Sequence, residues 1–488
     1  MLTYSFESIK GSLYEHLYKC IRDDIMSGTL PPDYKLPSKR SFAKNLSVST
    51  ITVENAYNQL LSEGFIYSLP RKGFYVSEIF ADSTAPISAS RSIPAQGSDS
   101  RKNPSSVSPP QNNQVSGANT FQDSAKKHKS PLIADFTSNY TSPDSFPFST
   151  WAKLTRQVLS DSQERLMTNS PSNGTIELRS AIAEYLNEFH NITTSPDNII
   201  IGAGTEYLYT ILMQLLGADM IYATENPGYQ KLSMILDTVA LKHIDIPVDS
   251  QGICVDKLKD SNANVVHVTP SHHFPTGITM PVRRRYELLN WASKYANHYI
   301  IEDDYDSEFR LSGRPIPSLF SMDTTGNVIY MNTFTKTLSS TIRISYMVLP
   351  DKLAELYHKK LSFYSCTVSN FEQLTLARFI DEGFFEKHIN RMRTAYRKKR
   401  DLILNIIKNG PLSDIAEIKE ANAGLHFILK LNTKYKDNEL ADKLLKNGVK
   451  IHPLSYYGNN EAHTFLVNYS SVPEDKMEEA IKVISDNS

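Results

Sequence analysis

Five short apolar runs, rich in β-branched residues, recur at 198–202, 219–223, 265–269, 299–303 and 328–332. None keeps the strict polar alternation of a strand with one wet face. Helix-like segments such as 283–297 separate some of them. Strands that are apolar on both faces need cover on both faces, and a mostly parallel sheet between helices supplies it. The tail from about 411 reads instead as α+β. It has a strand-like run at 425–429, a helix near 437–447, strand-like residues at 464–469 and a last helix. At 488 residues the chain exceeds one ordinary core, so further folded units are expected.

Residues 81–130 differ from both flanks. They are rich in Ser, Pro, Gln, Asn and Ala, with almost no large aliphatics. Such a stretch cannot bury enough apolar area to offset its ordering entropy, so it reads as a flexible linker. As a coil it would reach on the order of 40 Å. The expected division is therefore 1–80, the linker 81–130, and 131–488, with a small subdomain over roughly 365–488 and part of 131–160.

A formal net charge of −1 gives no chain-wide attraction to nucleic acid, so any such contact must come from a local patch. The three cysteines, Cys20, Cys254 and Cys366, are odd in number and far apart. That spacing points to a reducing compartment, with neither a disulfide framework nor a zinc site. His272 and His273 have no further ligand-spaced neighbours, so no metal is expected. The first residues do not read as a signal peptide, and no apolar run is long enough to span a bilayer. A cytoplasmic placement follows as the expectation.

The N-terminal stretch carries its own organisation. Residues 8–27 form an amphipathic helix with Leu13, Leu17, Ile21 and Ile25 four apart, and Gly28 as its stop. Ser38 is placed to cap a short second helix. A tight turn leads to a third helix from about 50 to 62, capped by Ser49, ended by Gly64, and buried on Val53, Ala56, Leu60 and Leu61. This is helix-turn-helix spacing, with the start of the third helix aimed at a major groove. Two strand-like runs around Arg71, Lys72 and Gly73 then form a wing. Residues 1–80 hold nine Lys/Arg against eight Asp/Glu, so charge adds little support.

The motifs Leu36-Pro-Ser, Leu46-Ser-Val-Ser, Thr52-Val-x-x-Ala-Tyr-x-x-Leu, Glu63-Gly and Gly73-Phe-x-Val resemble the winged helix-turn-helix of the GntR class. The resemblance implies double-stranded operator DNA as a partner. It implies contacts from Ser38, Arg40, Ser49, Thr50, Thr52, Arg71, Lys72 and Gly73. The family usually carries Arg where Thr50 stands, so a bidentate guanine contact is missing.

A second constellation sits at strand ends of the α/β region. Lys336 follows the run at 328–332 and lies beside Thr333 and Thr335, with Arg343 seven residues on. Asp303 and Tyr305 follow the run ending at Ile301. Ala203, Gly204 and Thr205 precede a helix from about 206 to 216, and Tyr229 stands in Asn226-Pro-Gly-Tyr. Taken singly, each is an ordinary solvated charge, turn or packing aromatic. Together they meet the demands of pyridoxal phosphate. A lysine amine forms a Schiff base, a carboxylate keeps the pyridine nitrogen protonated, and cationic groups with helix-start amides hold the phosphate. Tyr305 would bond the ring hydroxyl and Tyr229 would stack on the ring. Ligands of such sheets bind beyond the carboxyl ends of the strands.

The motifs Pro143-Asp-x-Phe-Pro, Gly174-x-x-x-Leu-Arg, Glu225-Asn-Pro-Gly-Tyr, Thr269-Pro-Ser-His, Glu302-Asp-Asp-Tyr-Asp-Ser-Glu-Phe-Arg and Thr333-Phe-Thr-Lys-Thr-Leu resemble the fold-type I aminotransferase domain of MocR/GabR-type regulators. The match extends through Phe385-Glu-Lys-His-Ile-x-Arg-Met-Arg. It implies a homodimer, head-to-tail and domain-swapped, with each DNA module over the partner's sensor domain. It also implies Lys231 as an effector contact. Three features depart from the family: His273 replaces the usual Gln, no Tyr–Gly pair precedes Gly174, and no arginine follows Arg400. Aminotransferases of this fold clamp a substrate carboxylate with an Arg from that last region.

Three readings follow. The first is a ligand-responsive transcriptional regulator sensing an amine, an amino acid or pyridoxal phosphate itself. The second is an active aminotransferase with a vestigial DNA module. The third is a cofactor-free repressor in which Lys336 only packs.

Overall fold

The computed structural model describes residues 4, 12–46, 48–69, 73–78, 132–138, 141–311, 316–422, 424–458 and 461–488. The expected linker lies outside them, as do Arg71 and Lys72 of the wing tip. The N-terminal module comprises α1 (Leu13–Met26), α2 (Lys39–Leu46), α3 (Thr50–Ser62), β1 (Ile66–Leu69) and β2 (Gly73–Val76). The two strands pair antiparallel with Leu69 opposite Gly73. Leu17, Ile21 and Ile25 meet Val53, Ala56, Tyr57 and Leu60 in one core. Leu13 does not join them; at the first turn of α1 it is exposed. Ser49 caps α3 by accepting the Thr52 amide at 3.0 Å.

After β3 (Ala134–Asp135), the chain builds a large sheet. Its strands are β4 (Ile199–Gly202), β5 (Ile221–Asn226), β6 (Lys242–Asp249), β7 (Gly252–Ile253), β8 (Val265–Val268), β9 (Tyr299–Asp303), β10 (Val328–Thr333) and β11 (Ser345–Val348). The order is β4-β11-β10-β9-β8-β5-β6-β7. The run β10-β9-β8-β5-β6 is parallel, and β11 is antiparallel to both its neighbours. Every residue of β4, β8, β10 and β11 is buried. Their unbroken apolar character is thus explained by helices on both faces, with separate clusters above and below the sheet.

The remaining strands are β12 (Ala416–Lys419), β13 (His426–Leu431), β14 (Val449–Lys450), β15 (His452–Pro453) and β16 (Thr464–Asn468). A four-stranded antiparallel sheet, β12-β13-β16-β15, packs on the helices Asp437–Lys446 and Met477–Asn487, while β14 pairs with β3. The boundary expected near 365 moves. The helix Asn370–Asp381 packs on the helices Phe148–Asp161 and Ile176–His190, in the core beside the large sheet. Among the described residues of the 131–160 stretch, Ala134 and Phe136 are buried in the small core and Ile133 packs against it. The division falls inside the long helix Phe384–Asn409. Phe385 and Ile389 lie in one core, and Met392 through Ile407 in the other.

The module docks on the aminotransferase-like part of the same chain. Val282 and Ile316 enter its core, and the Val282 amide donates to the Glu63 carbonyl at 3.0 Å. Gly64 turns there with φ +78°, and a Cβ would lie 3.2 Å from Pro281 Cβ. Glu63 itself is fully buried, accepts from Tyr18 at 2.5 Å and is bonded by Gln59.

Candidate functional site

The parallel register of β9 and β10 sets Asp303 opposite Met331, and Lys336 lies in the turn that follows β10. Asp303 is buried. The Tyr209 hydroxyl donates to its Oδ2 at 2.9 Å, and His267 Nε2 stands 3.6 Å from the same oxygen. Its Oδ1 is buried with no hydrogen-bond partner. A buried carboxylate oxygen without a donor is costly, so the site is built to receive one.

Lys336 lies in a turn fastened from behind, where His388 Nε2 donates to the Thr337 carbonyl at 2.7 Å. Burial pushes the Lys336 ammonium down to about 8, opposed by the nearby Asp306 carboxylate. Roughly a tenth of the side chain is therefore free amine at pH 7. Thr333 and Thr335 bond each other at 2.7 Å, and Ser345 donates to Thr333 at 2.8 Å. These bonds fix the start of the lysine turn.

Tyr305 directs its hydroxyl to the His272 carbonyl at 3.0 Å, and His272 Nδ1 pairs with Asp306 at 2.8 Å. The His272 ring lies 4.3 Å from that of His426, whose protonation is strongly suppressed, first by burial and then by His272 and Lys336. Tyr229 immediately precedes the helix Gln230–Thr238 without a side-chain capping bond and meets Phe274 edge-on at 6.5 Å.

The anion-holding corner is more crowded than the sequence suggests. The Ala203 amide already donates to Thr367 Oγ1 at 3.0 Å, and the Gly204 amide to the Gly202 carbonyl at 2.9 Å. Of the three expected phosphate amides, two are thus engaged by the chain. Thr205 opens the helix Thr205–Leu216. Arg343, with φ +55°, folds back so that Nη2 meets the Ala203 carbonyl at 3.3 Å and Glu206 Oε2 at 2.7 Å. Lys231, the expected effector contact, is paired with the same Glu206 carboxylate. Sequence reading missed Asp306, His426, Tyr209 and Glu206. Tyr209 and Glu206 lie on one helix near the Gly204 turn, but nothing in their spacing announces which of them faces the site.

In the module, Ser38 Oγ accepts the Ser41 amide at 3.2 Å, and Ser49 and Thr52 share a hydroxyl contact of 2.8 Å. These three serve the helix starts. Arg40 and Thr50 are exposed, and Gly73 begins β2. The basic stretch 387–400 is largely committed elsewhere. Arg393 donates to the Glu308 carbonyl, Arg397 to that of Leu311 and Lys399 to that of Ser470. A cavity of about 850 Å³ between module and domain is lined in part by Glu63, Arg310, Asp304, Glu308 and Arg393, and reaches His272 and Asp306. Among the described residues no cluster of His, Cys, Asp or Glu is arranged to hold a metal ion, and no helix is long and apolar enough to cross a membrane.

These features define a class: a small DNA-binding winged helix joined to an aminotransferase-type fold. Residues 13–76 match the bacterial regulatory proteins of the gntR family, and residues 135–484 match aminotransferase class I and II. The chain is 38% identical to the uncharacterized HTH-type transcriptional regulator YdeL of Bacillus subtilis, over 96% of this chain and 95% of that one. It is 30% identical to the probable rhizopine catabolism regulatory protein MocR of Rhizobium meliloti, covering 96% and 92%. It is 27% identical to the pyridoxine biosynthesis regulator PdxR of Corynebacterium glutamicum, covering 97% and 96%. Among solved structures, the Pyrococcus horikoshii kynurenine aminotransferase aligns with a TM-score of 0.65 at 25% identity, over 74% of this chain and 91% of that one.

The chain belongs to the MocR family of HTH-type transcriptional regulators. Its gntR-type module implies DNA binding, and its fold implies pyridoxal phosphate as cofactor.

Proposed function

We propose that this regulator holds pyridoxal phosphate on Lys336 and couples a small amine, an amino acid or the cofactor itself to operator binding. The observation that carries this reading is the unpartnered Oδ1 of Asp303 at the end of β9, with a lysine of lowered basicity in the turn after the neighbouring strand β10. When bound, pyridoxal phosphate supplies an aldehyde reactive toward amines and an electron-withdrawing ring. Asp303 holds the proton on the ring nitrogen, with Tyr209 and His267 fixing its orientation. Tyr305 would bond the ring oxygen and Tyr229 would pack against the ring. Arg343, Thr205, Thr333 and Thr335 would serve the phosphate, while Lys231, the expected effector contact, is paired with Glu206.

The absence of any arginine after Arg400 argues against an amino-acid effector gripped by a carboxylate clamp. Pyridoxal phosphate, or an amine with another handle, fits better. The relative PdxR, named as a regulator of pyridoxine biosynthesis, agrees with the first of these. The arrangement proposed is a homodimer with two modules on DNA. Within one chain the module docks on its own domain, which differs from the expected placement over the partner's domain. Ligand-dependent changes around Asp306 and His272 would pass to the module through the cavity they share with Glu63.

The test is binding of the full chain to its own upstream DNA and to random DNA, with and without pyridoxal phosphate. Preference for the upstream fragment, altered by the cofactor, is expected. Equal affinity for both fragments sinks the reading. The intact lysine pocket favours a second reading, an active aminotransferase. Rapid turnover with a common amino donor would establish it.

A further inference from the structure

The corner expected to hold the phosphate already contains an anion. Glu206, the second residue of the helix Thr205–Leu216, bonds Arg343 Nη2 through Oε2 at 2.7 Å and pairs with Lys231 through Oε1. Both Arg343 and Glu206 converge over Gly204. A Cβ there would lie 2.1 Å from Arg343 Nη2 and 2.9 Å from Glu206 Oε2. Only glycine, here at φ +98°, admits the two side chains so close to the backbone. Burial works against ionisation of Glu206, but bonds from Lys231, its own amide and Arg343 bring its carboxyl to about 2. It is an anion at every working pH.

A cofactor phosphate and this carboxylate therefore want the same guanidinium. Arg343 has one planar fork, and an arginine already paired with a carboxylate is a poorer partner for a dianion. The Ala203 and Gly204 amides are engaged within the chain and do not supply a substitute.

We propose that Glu206 is a built-in competitor for the phosphate of pyridoxal phosphate. Its carboxylate leaves Arg343 and stays with Lys231 when the phosphate enters, so cofactor occupancy follows cofactor concentration. The inference rests on the reading that Lys336 holds the cofactor. It assigns to one residue the setting of an exchangeable, concentration-dependent site. Lys231 has a defined part: it is the berth that keeps the displaced carboxylate away from the phosphate.

The experiment titrates the full chain and its Glu206→Gln variant with pyridoxal phosphate, with pyridoxal, and calorimetrically with inorganic phosphate. Removing an ionised carboxylate near a dianion is expected to tighten pyridoxal phosphate by roughly tenfold, even in a water-like dielectric. Inorganic phosphate should tighten with it, while pyridoxal, which lacks the phosphate, should not change. Lys231→Met removes the berth and should weaken pyridoxal phosphate. That variant also keeps the idea testable if Glu206→Gln folds poorly. Unchanged or weaker phosphate binding in Glu206→Gln, or parallel shifts for pyridoxal and pyridoxal phosphate, overturns the proposal. If neither protein shows a Lys336-dependent visible band, the cofactor reading fails on its own, and the inorganic phosphate arm still decides the role of Glu206.

Discussion

The hydroxyl of Tyr209 donates to one oxygen of Asp303 at 2.9 Å, and the other oxygen is left buried and unpartnered. The pair divides the carboxylate into an anchored half and a receiving half. Asp303→Asn keeps the shape but loses the charge that holds a proton on a ring nitrogen. Retention of pyridoxal phosphate should fall roughly tenfold to a hundredfold, the worth of a hydrogen bond to a charged group. Equilibrium dialysis followed by absorbance measures this. Undiminished retention would remove Asp303 from the site.

Lys336 gives a pH dependence. Its ammonium sits at about 8, so the free amine grows as pH rises and levels off above that value. The rate of pyridoxal phosphate capture should climb roughly tenfold per pH unit below the midpoint and then plateau. Asp306 raises the Lys336 value, so Asp306→Asn should move the midpoint to lower pH. Stopped-flow absorbance across pH 6–9.5 reads both effects; a flat profile contradicts the assignment.

A second pH effect concerns stability. Glu308 is pushed up to about 8, first by burial and then by Asp304. Its folded value lies above its ordinary 4.5, so the native chain keeps a proton that the unfolded chain gives up. The stability from the neutral form is complete below about 4.5 and is lost as pH rises toward about 8. Glu308→Gln stays neutral and can still accept from Asn332. The fall in Tm between pH 5 and 8.5 should become shallower in that variant. It should not vanish, because Glu225 is also raised, to about 8, by burial.

Gly64 tests the docking of the module. Alanine there must hold a left-handed φ, at about 1–2 kcal/mol, and meet Pro281 at 3.2 Å. Gly64→Ala should lower Tm and speed proteolysis around residues 60–80, with little change in cofactor binding. Equal proteolysis rates would show that the turn tolerates a side chain.

On DNA, Arg40 and Thr50 are exposed at the starts of α2 and α3. Arg40→Ala should weaken binding evenly across sequences and reduce the salt slope by about one. Thr50→Arg should add a base contact and raise discrimination between operator and random DNA. Fluorescence anisotropy at several salt concentrations separates the two outcomes.

Much of this was legible in the residues themselves. Unbroken apolar strands such as 328–332 announce a doubly covered sheet because burial on both faces leaves no polar position. Ser49 and Gly64 mark the ends of α3 because capping and left-handed turns are local chemistry. Lys336, Asp303 and Tyr305 stand out as candidates because strand ends aim at a common edge. Other features depend on contacts between distant segments. The subdomain boundary lies inside the helix Phe384–Asn409, which no break in its sequence reveals, because its two halves simply face different cores. Leu13 keeps the helical spacing yet is exposed, since nothing packs over the first turn of α1.

The sequence alone thus determined the two kinds of domain, a gntR-type module and an aminotransferase-type fold. These follow from periodicity, capping and composition, which act over a few neighbouring residues. Tertiary structure decided which groups meet: Tyr209 with Asp303 across 94 residues, Arg343 with Glu206 across 137, and Val282 with Glu63 at the docking face. Side chains that far apart are brought together by sheet order and helix packing. Only the folded chain, therefore, shows that Arg343 is already paired with a carboxylate.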